Sequence, residues 1–151
     1  MITPDGMITA NFSLREMIQS PTAVSLKIKN VPNAAHLDNI TALCEKVLQP
    51  LRDKLGVPVR VSSGFRNKAL NAAVGGAANS QHRKGEAADI HAKGYTAQQF
   101  FDFIIKSGIV YDQLIQEFDE WVHISYKREG ENRNEALLAT KKDGQTIFTK
   151  L

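Results

Sequence analysis

Ser80-Gln81-His82-Arg83-Lys84-Gly85-Glu86-Ala87-Ala88-Asp89 places an imidazole, His82, seven positions before a carboxylate, Asp89. Gly85 between them lets the backbone turn, and two alanines let it pack closely. Glu86 to His91 then reads as a short central strand entered from that turn. His82 and Asp89 form a plausible pair of metal ligands, and catalytic zinc takes three protein ligands from His, Asp, Glu or Cys. The third is sought elsewhere. His123, in Glu120-Trp121-Val122-His123-Ile124-Ser125, is the best candidate, and Glu120 three positions earlier is placed to act as a general base.

Ser80, His82, Gly85, Ala87 and Asp89 fill the S-x-H-x-x-G-x-A-x-D pattern of the zinc D-alanyl-D-alanine peptidases, and the chain resembles that family. The family takes in bacterial cell-wall carboxypeptidases, vancomycin-resistance dipeptidases and phage endolysins, with the hedgehog signalling domain a similar fold. Glu120 and His123 match its second motif, an acidic residue three positions before the last zinc ligand. Ser63-Gly64-Phe65-Arg66 is similar to its S-G-aromatic-R segment. The resemblance spans roughly residues 59 to 125.

The resemblance implies Zn2+ held by His82, Asp89 and His123, and hydrolysis of an amide bond in the peptide stem or cross-bridge of peptidoglycan. Glu120 would accept a proton from the attacking water and return it to the leaving amine. Arg66 would hold the charge of the oxyanion, a task suited to a planar guanidinium that stays charged. Ser80 would contact substrate, or else act as a local turn cap. His91, two positions from Asp89 on the same strand face, is a rival ligand. Glu120 falls on the wrong face of a regular strand, so it must reach the site from the turn, and Glu117 and Asp119 stand as substitutes.

Composition bounds the rest. At 151 residues and 42% hydrophobic, the chain suits one domain, residues 1–151, and is too short for two of ordinary size. A single cysteine excludes an internal disulfide framework and a cysteine-rich zinc finger. No apolar run approaches the roughly 18 residues of a membrane span, and no basic region followed by an apolar stretch opens the chain. The expectation is therefore no membrane association and cytoplasmic synthesis, with action on the cell wall after release if the protein is a phage lysin. A net charge of +3 and a pI near 9.0 suit an anionic polymer. The cations are scattered and no aromatics interleave with them, so nucleic acid is not the expected partner. A monomer is expected.

The element pattern puts helices first. Pro4, Asp5, Gly6, Pro21 and Pro32 punctuate residues 1–32 around one short helix starting at Ser13, with Glu16 completing a capping box. Leu37, Ile40, Cys44, Val47, Leu48, Leu51 and Leu55 recur on one helix face between Asn33 and Gly56, which makes Cys44 a buried small hydrophobe. His36 is expected at the surface. Strands are expected over Val57–Ser62, Glu86–His91, Gln113–Gln116 and Trp121–Tyr126, with helices over Asn67–Val74 and Thr96–Ser107. A final hairpin, Glu135–Lys141 and Gln145–Lys150, turns at Asp143-Gly144. The sum is an α+β fold with a small, mainly antiparallel sheet and helices packed on it. The alternative within that fold is a noncatalytic zinc-containing binding module.

Overall fold

The computed structural model describes residues 2, 3 and 5–151; Pro4, among the expected turn formers, lies outside them. Two short helices, α1 (Leu14–Ile18) and α2 (Pro21–Ser25), come first. Ser13 caps α1 by accepting from the Glu16 N–H, but the Glu16 carboxylate accepts from Val61 N at 3.1 Å instead of closing the box. The long helical segment starts where Asn33 accepts from His36 N and ends at Gly56, whose φ of 74° supplies the left-handed stop. It runs as α3 (Ala34–Leu43), a π turn (Cys44–Leu48) and α4 (Gln49–Leu55). Pro50 has no N–H to give, and the wider turn just before it accommodates that loss.

Among the described residues, six strands form one sheet: β1 (Val59–Ser63), β2 (Ala87–Ala92), β3 (Gln113–Glu117), β4 (Trp121–Ser125), β5 (Glu135–Lys142) and β6 (Gln145–Lys150), in the order β1-β2-β4-β3-β5-β6. The expected mainly antiparallel sheet is corrected to a mixed one, because β5 runs parallel to β3. The chain leaves β4 at the end of the sheet where β3 begins. The segment 126–134 stays at that end, with Asn134 N bonded to Tyr111 O and Glu135 N to Asp112 O. A strand launched there beside β3 must run the same way. Asp143 and Gly144, both at positive φ, make the tight β5–β6 turn.

Strand alternation divides the sheet into two faces. Ala88, Ile90, Val122, Ile124 and Leu114 point into a core shared with Ile40, Leu43, Leu48 and Leu51 of the long helical segment and Phe100, Phe101 and Ile104 of α6 (Ala97–Ser107). Fully burying the larger of these side chains, the valine, leucines, isoleucines and phenylalanines, contributes about 1.5–3 kcal/mol each. The opposite face carries Asp89, His123, Ile115 and Glu117, placed side by side by the pairings Asp89↔His123, Ile115↔His123 and Glu117↔Trp121. Helix α5 (Lys68–Ala73) and a 3-10 turn (Gln81–Lys84) flank that second face.

Candidate metal centre

His82 leaves the 3-10 turn only because Gly85 ends it at φ 77°, a conformation that glycine adopts without cost. A side chain there would also press on His36 O and Ile40. The imidazole is 3% exposed, and its Nδ1 lies 2.7 Å from the Gly64 carbonyl oxygen. A carbonyl only accepts, so Nδ1 carries the proton and Nε2 presents a lone pair. Burial pushes the His82 pKa down, which keeps that lone pair available.

Asp89 Oδ1 stands 3.3 Å from His82 Nε2 and 3.1 Å from His123 Nδ1. Burial alone would raise the Asp89 carboxyl, but the two histidines outweigh it and hold the group well below the usual carboxylate range. Among the described residues, His82, Asp89 and His123 are the trio whose donor atoms converge within 4.8 Å. The residues fit zinc on geometry and on chemistry. Donors about 2.0–2.2 Å from one tetrahedral ion are separated by about 3.4 Å, close to the spacing of Asp89 Oδ1 from either imidazole. Among the described residues, each imidazole nitrogen that faces the trio is also free of a backbone partner.

Arg66 reaches the same site from the bend after β1. Its Nε donates to Ser63 Oγ at 3.0 Å, Nη1 to Asn71 Oδ1 at 3.3 Å and Nη2 to Asp89 Oδ2 at 3.4 Å. Ser80 caps the 3-10 turn by accepting from His82 N, and it also lines the cleft above the site. That cleft has a volume of about 640 Å³ and is lined by Arg66 and the trio, with Trp121 toward one end and Gln113, Lys127, Arg133 and Phe148 among its other lining residues.

The structure does not bring Glu120 to the cluster. Glu120 is exposed and lines a separate hollow beside Tyr95, Thr96 and Ala97 at the start of α6. Glu117, one of the two substitutes, occupies the place instead: Oε1 lies 3.6 Å from His123 Nδ1, and the side chain lines the cleft. Burial pushes the Glu117 carboxyl above its ordinary value, with His123 opposing. The pairing of Glu117 with Trp121 across the hairpin puts it on the His123 face, a relation that three-residue spacing alone does not reveal. His91 is not a ligand in this arrangement, since its Nε2 engages Ser62 Oγ at 3.0 Å. His36, expected at the surface, is half-buried, its ring tilted 38° against that of Phe65 with centroids 4.7 Å apart.

Comparison with known proteins places the chain in a family. A segment of 46 residues is 48% identical to the zinc D-Ala-D-Ala carboxypeptidase of Streptomyces albus G, covering 30% of this chain and 18% of that protein. The chain thus spans less than a fifth of that curated relative's length. The model of the Peptidase M15 family matches residues 10–125, a stretch that contains the whole cluster. The chain therefore belongs to the Peptidase M15 family, the zinc D-alanyl-D-alanine peptidases, with Zn2+ as cofactor.

Proposed function

We propose that this chain is a single-domain zinc peptidase that hydrolyses an amide bond in the peptide stem or cross-bridge of peptidoglycan, in the manner of a phage endolysin. The observation that carries the reading is the juxtaposition of the buried His82–Asp89–His123 trio with one acid, Glu117, and one cation, Arg66, on the floor of a single open cleft. The net charge of +3 and the lysines along the cleft, Lys84 and Lys127, support an anionic wall polymer as substrate.

In this reading His82 Nε2, Asp89 Oδ1 and His123 Nδ1 hold the ion. Zinc bound there supplies a Lewis acid that acidifies water and polarises a carbonyl oxygen. Glu117, in place of Glu120, takes the proton from the attacking water and passes it to the leaving nitrogen. Its place beside His123 on the wall of the cleft suits both halves of that transfer. Arg66 Nη2 shifts from Asp89 Oδ2 toward the oxyanion, with Nε and Nη1 still anchored on Ser63 and Asn71. Ser80 holds the 3-10 turn through its oxygen and keeps its O–H to donate to substrate backbone.

The test is mass spectrometry of fragments released from purified peptidoglycan by zinc-loaded and chelator-treated protein side by side. New peptide termini that depend on zinc are expected, and their identity separates an endopeptidase from a carboxypeptidase. Stoichiometric zinc without any release would favour the noncatalytic module.

A further inference from the structure

The cleft has a second built end that the reaction above does not use. Asp112, at the start of β3, is 0% exposed, and its carboxylate accepts from four donors. These are Arg133 N at 3.1 Å, Arg133 Nε at 3.0 Å, Arg133 Nη2 at 2.7 Å and Gln81 Nε2 at 3.1 Å. Gln81, Asp112 and Arg133 all line the cleft that holds the metal trio, with Lys84 and Lys127 beside them.

The guanidinium is therefore fixed along its Nε–Nη2 edge while the side chain stays 52% exposed and lines the cleft. Nη1 makes no hydrogen bond among the described residues and has only a loose ion pair with Glu135 at 4.0 Å. Glu135 is itself drawn away by Gln113 Nε2 at 2.7 Å and by Lys150 at 3.7 Å. Holding the loop does not require the guanidinium. The backbone already ties residues 133–135 down through Arg133 N to Asp112, Asn134 N to Tyr111 and Glu135 N to Asp112. What the side chain adds is an immobilised cationic donor facing the cleft, the arrangement that suits a carboxylate.

Resting on the peptidase reading, we infer that Arg133, clamped by buried Asp112, is a specificity residue that recognises a carboxylate on the substrate away from the bond being cut. The sheet sets the distance. The backbone N–H of Gln113, adjacent to Asp112, donates to Ser125 Oγ at 3.0 Å, which places this end of β3 beside Ser125, two residues along β4 from His123, and two strand residues span about 7 Å. An extended peptide covers that span in about two residues, so the carboxylate lies about two residues from the scissile bond.

The experiment measures equilibrium binding by calorimetry to the zinc-loaded protein, with hydrolysis followed in the same samples. The probes are the synthetic stem peptide L-Ala-γ-D-Glu-L-Lys-D-Ala-D-Ala, the same peptide amidated at the D-Glu α-carboxyl, and the same peptide amidated at its C-terminus. One amidation is expected to weaken binding by about tenfold, the worth of one hydrogen-bonded charge pair, and the affected peptide names which carboxylate is read. Arg133→Ala should bind free and amidated peptides alike, and Arg133→Lys should keep part of the difference. Equal binding of all three peptides by the wild-type protein overturns the assignment, as does discrimination that survives in Arg133→Ala. Cleavage without discrimination removes the role of Arg133 and leaves the peptidase. Discrimination without cleavage does the reverse, and absence of both binding and cleavage removes both.

Discussion

The Nδ1–H of His82 donates to the carbonyl oxygen of Gly64 at 2.7 Å, so a residue of the S-G-aromatic-R segment fixes the tautomer of a residue in the S-x-H segment eighteen positions later. Two motifs that look separate in sequence are one device. Glycine is needed at position 64 because a Cβ there would collide with the Met17 carbonyl oxygen. Gly64→Ala should therefore displace the carbonyl that orients His82. Outer contacts of this kind typically change metal affinity by about 10–100-fold. Competition with a zinc chelator measures it, and wild-type affinity in a folded Gly64→Ala protein would show that the contact does not set the ligand's orientation.

Glu117 and Glu120 make a discriminating pair of substitutions. Glu117→Gln keeps size and hydrogen-bonding capacity but cannot take a proton, so turnover should fall by about 10²–10⁴-fold with zinc content unchanged. Glu120→Gln changes an exposed side chain outside the cleft and should leave turnover within about twofold of wild type. Rates of peptide release from peptidoglycan for the two variants decide it. The reverse ranking would return the proton transfer to Glu120.

These two glutamates also mark where the sequence stops being legible. Asp89 and His123 can be picked out because their neighbours are apolar at strand period, which fixes the face each must take, and His82 because it stands in the Ser-x-His spacing ahead of Gly85. Gly85 can be picked out because its position demands a left-handed turn. The β3–β4 turn cannot, since Phe118 and Asp119 both adopt left-handed φ values, 58° and 56°, that side-chain type does not announce. That turn rotates Glu120 away and leaves Glu117 beside His123. The parallel β5 was equally hidden: its own residues are compatible with either direction, and the choice lies in where loop 126–134 is tied to Tyr111 and Asp112.

Cys44 lies in the π turn with no exposed surface, and burial pushes its thiol pKa far up. The thiolate that reacts with disulfide reagents is thus almost absent in the folded protein. Labelling by such a reagent should proceed only as fast as the protein unfolds, and at once in denaturant. Rapid labelling under native conditions would mean that the long helical segment opens at the π turn. Cys44→Ser should cost about 1–3 kcal/mol of stability, because a hydroxyl there has apolar neighbours such as Leu48 and Ile40.

Asp112 gives a pH signature distinct from that of the metal ligands. Hydrogen bonds from Arg133 hold its carboxyl below the ordinary value of 3.8, against the opposing effect of burial. The unfolded chain therefore takes up this proton first as the pH falls. The stabilisation is fully present above the ordinary carboxylate value and is lost as the pH drops through it toward the lower folded value. Asp112→Asn should lower stability by about 1–3 kcal/mol at neutral pH, since it replaces charge-assisted bonds to Arg133 with neutral ones. Thermal unfolding of both proteins in chelator, which removes any contribution of zinc, should show a wide gap in Tm at pH 7 that narrows at pH 3. A gap that stays constant across that range would mean the Asp112 charge contributes nothing, and that Arg133 is held in place by the shape of the loop alone.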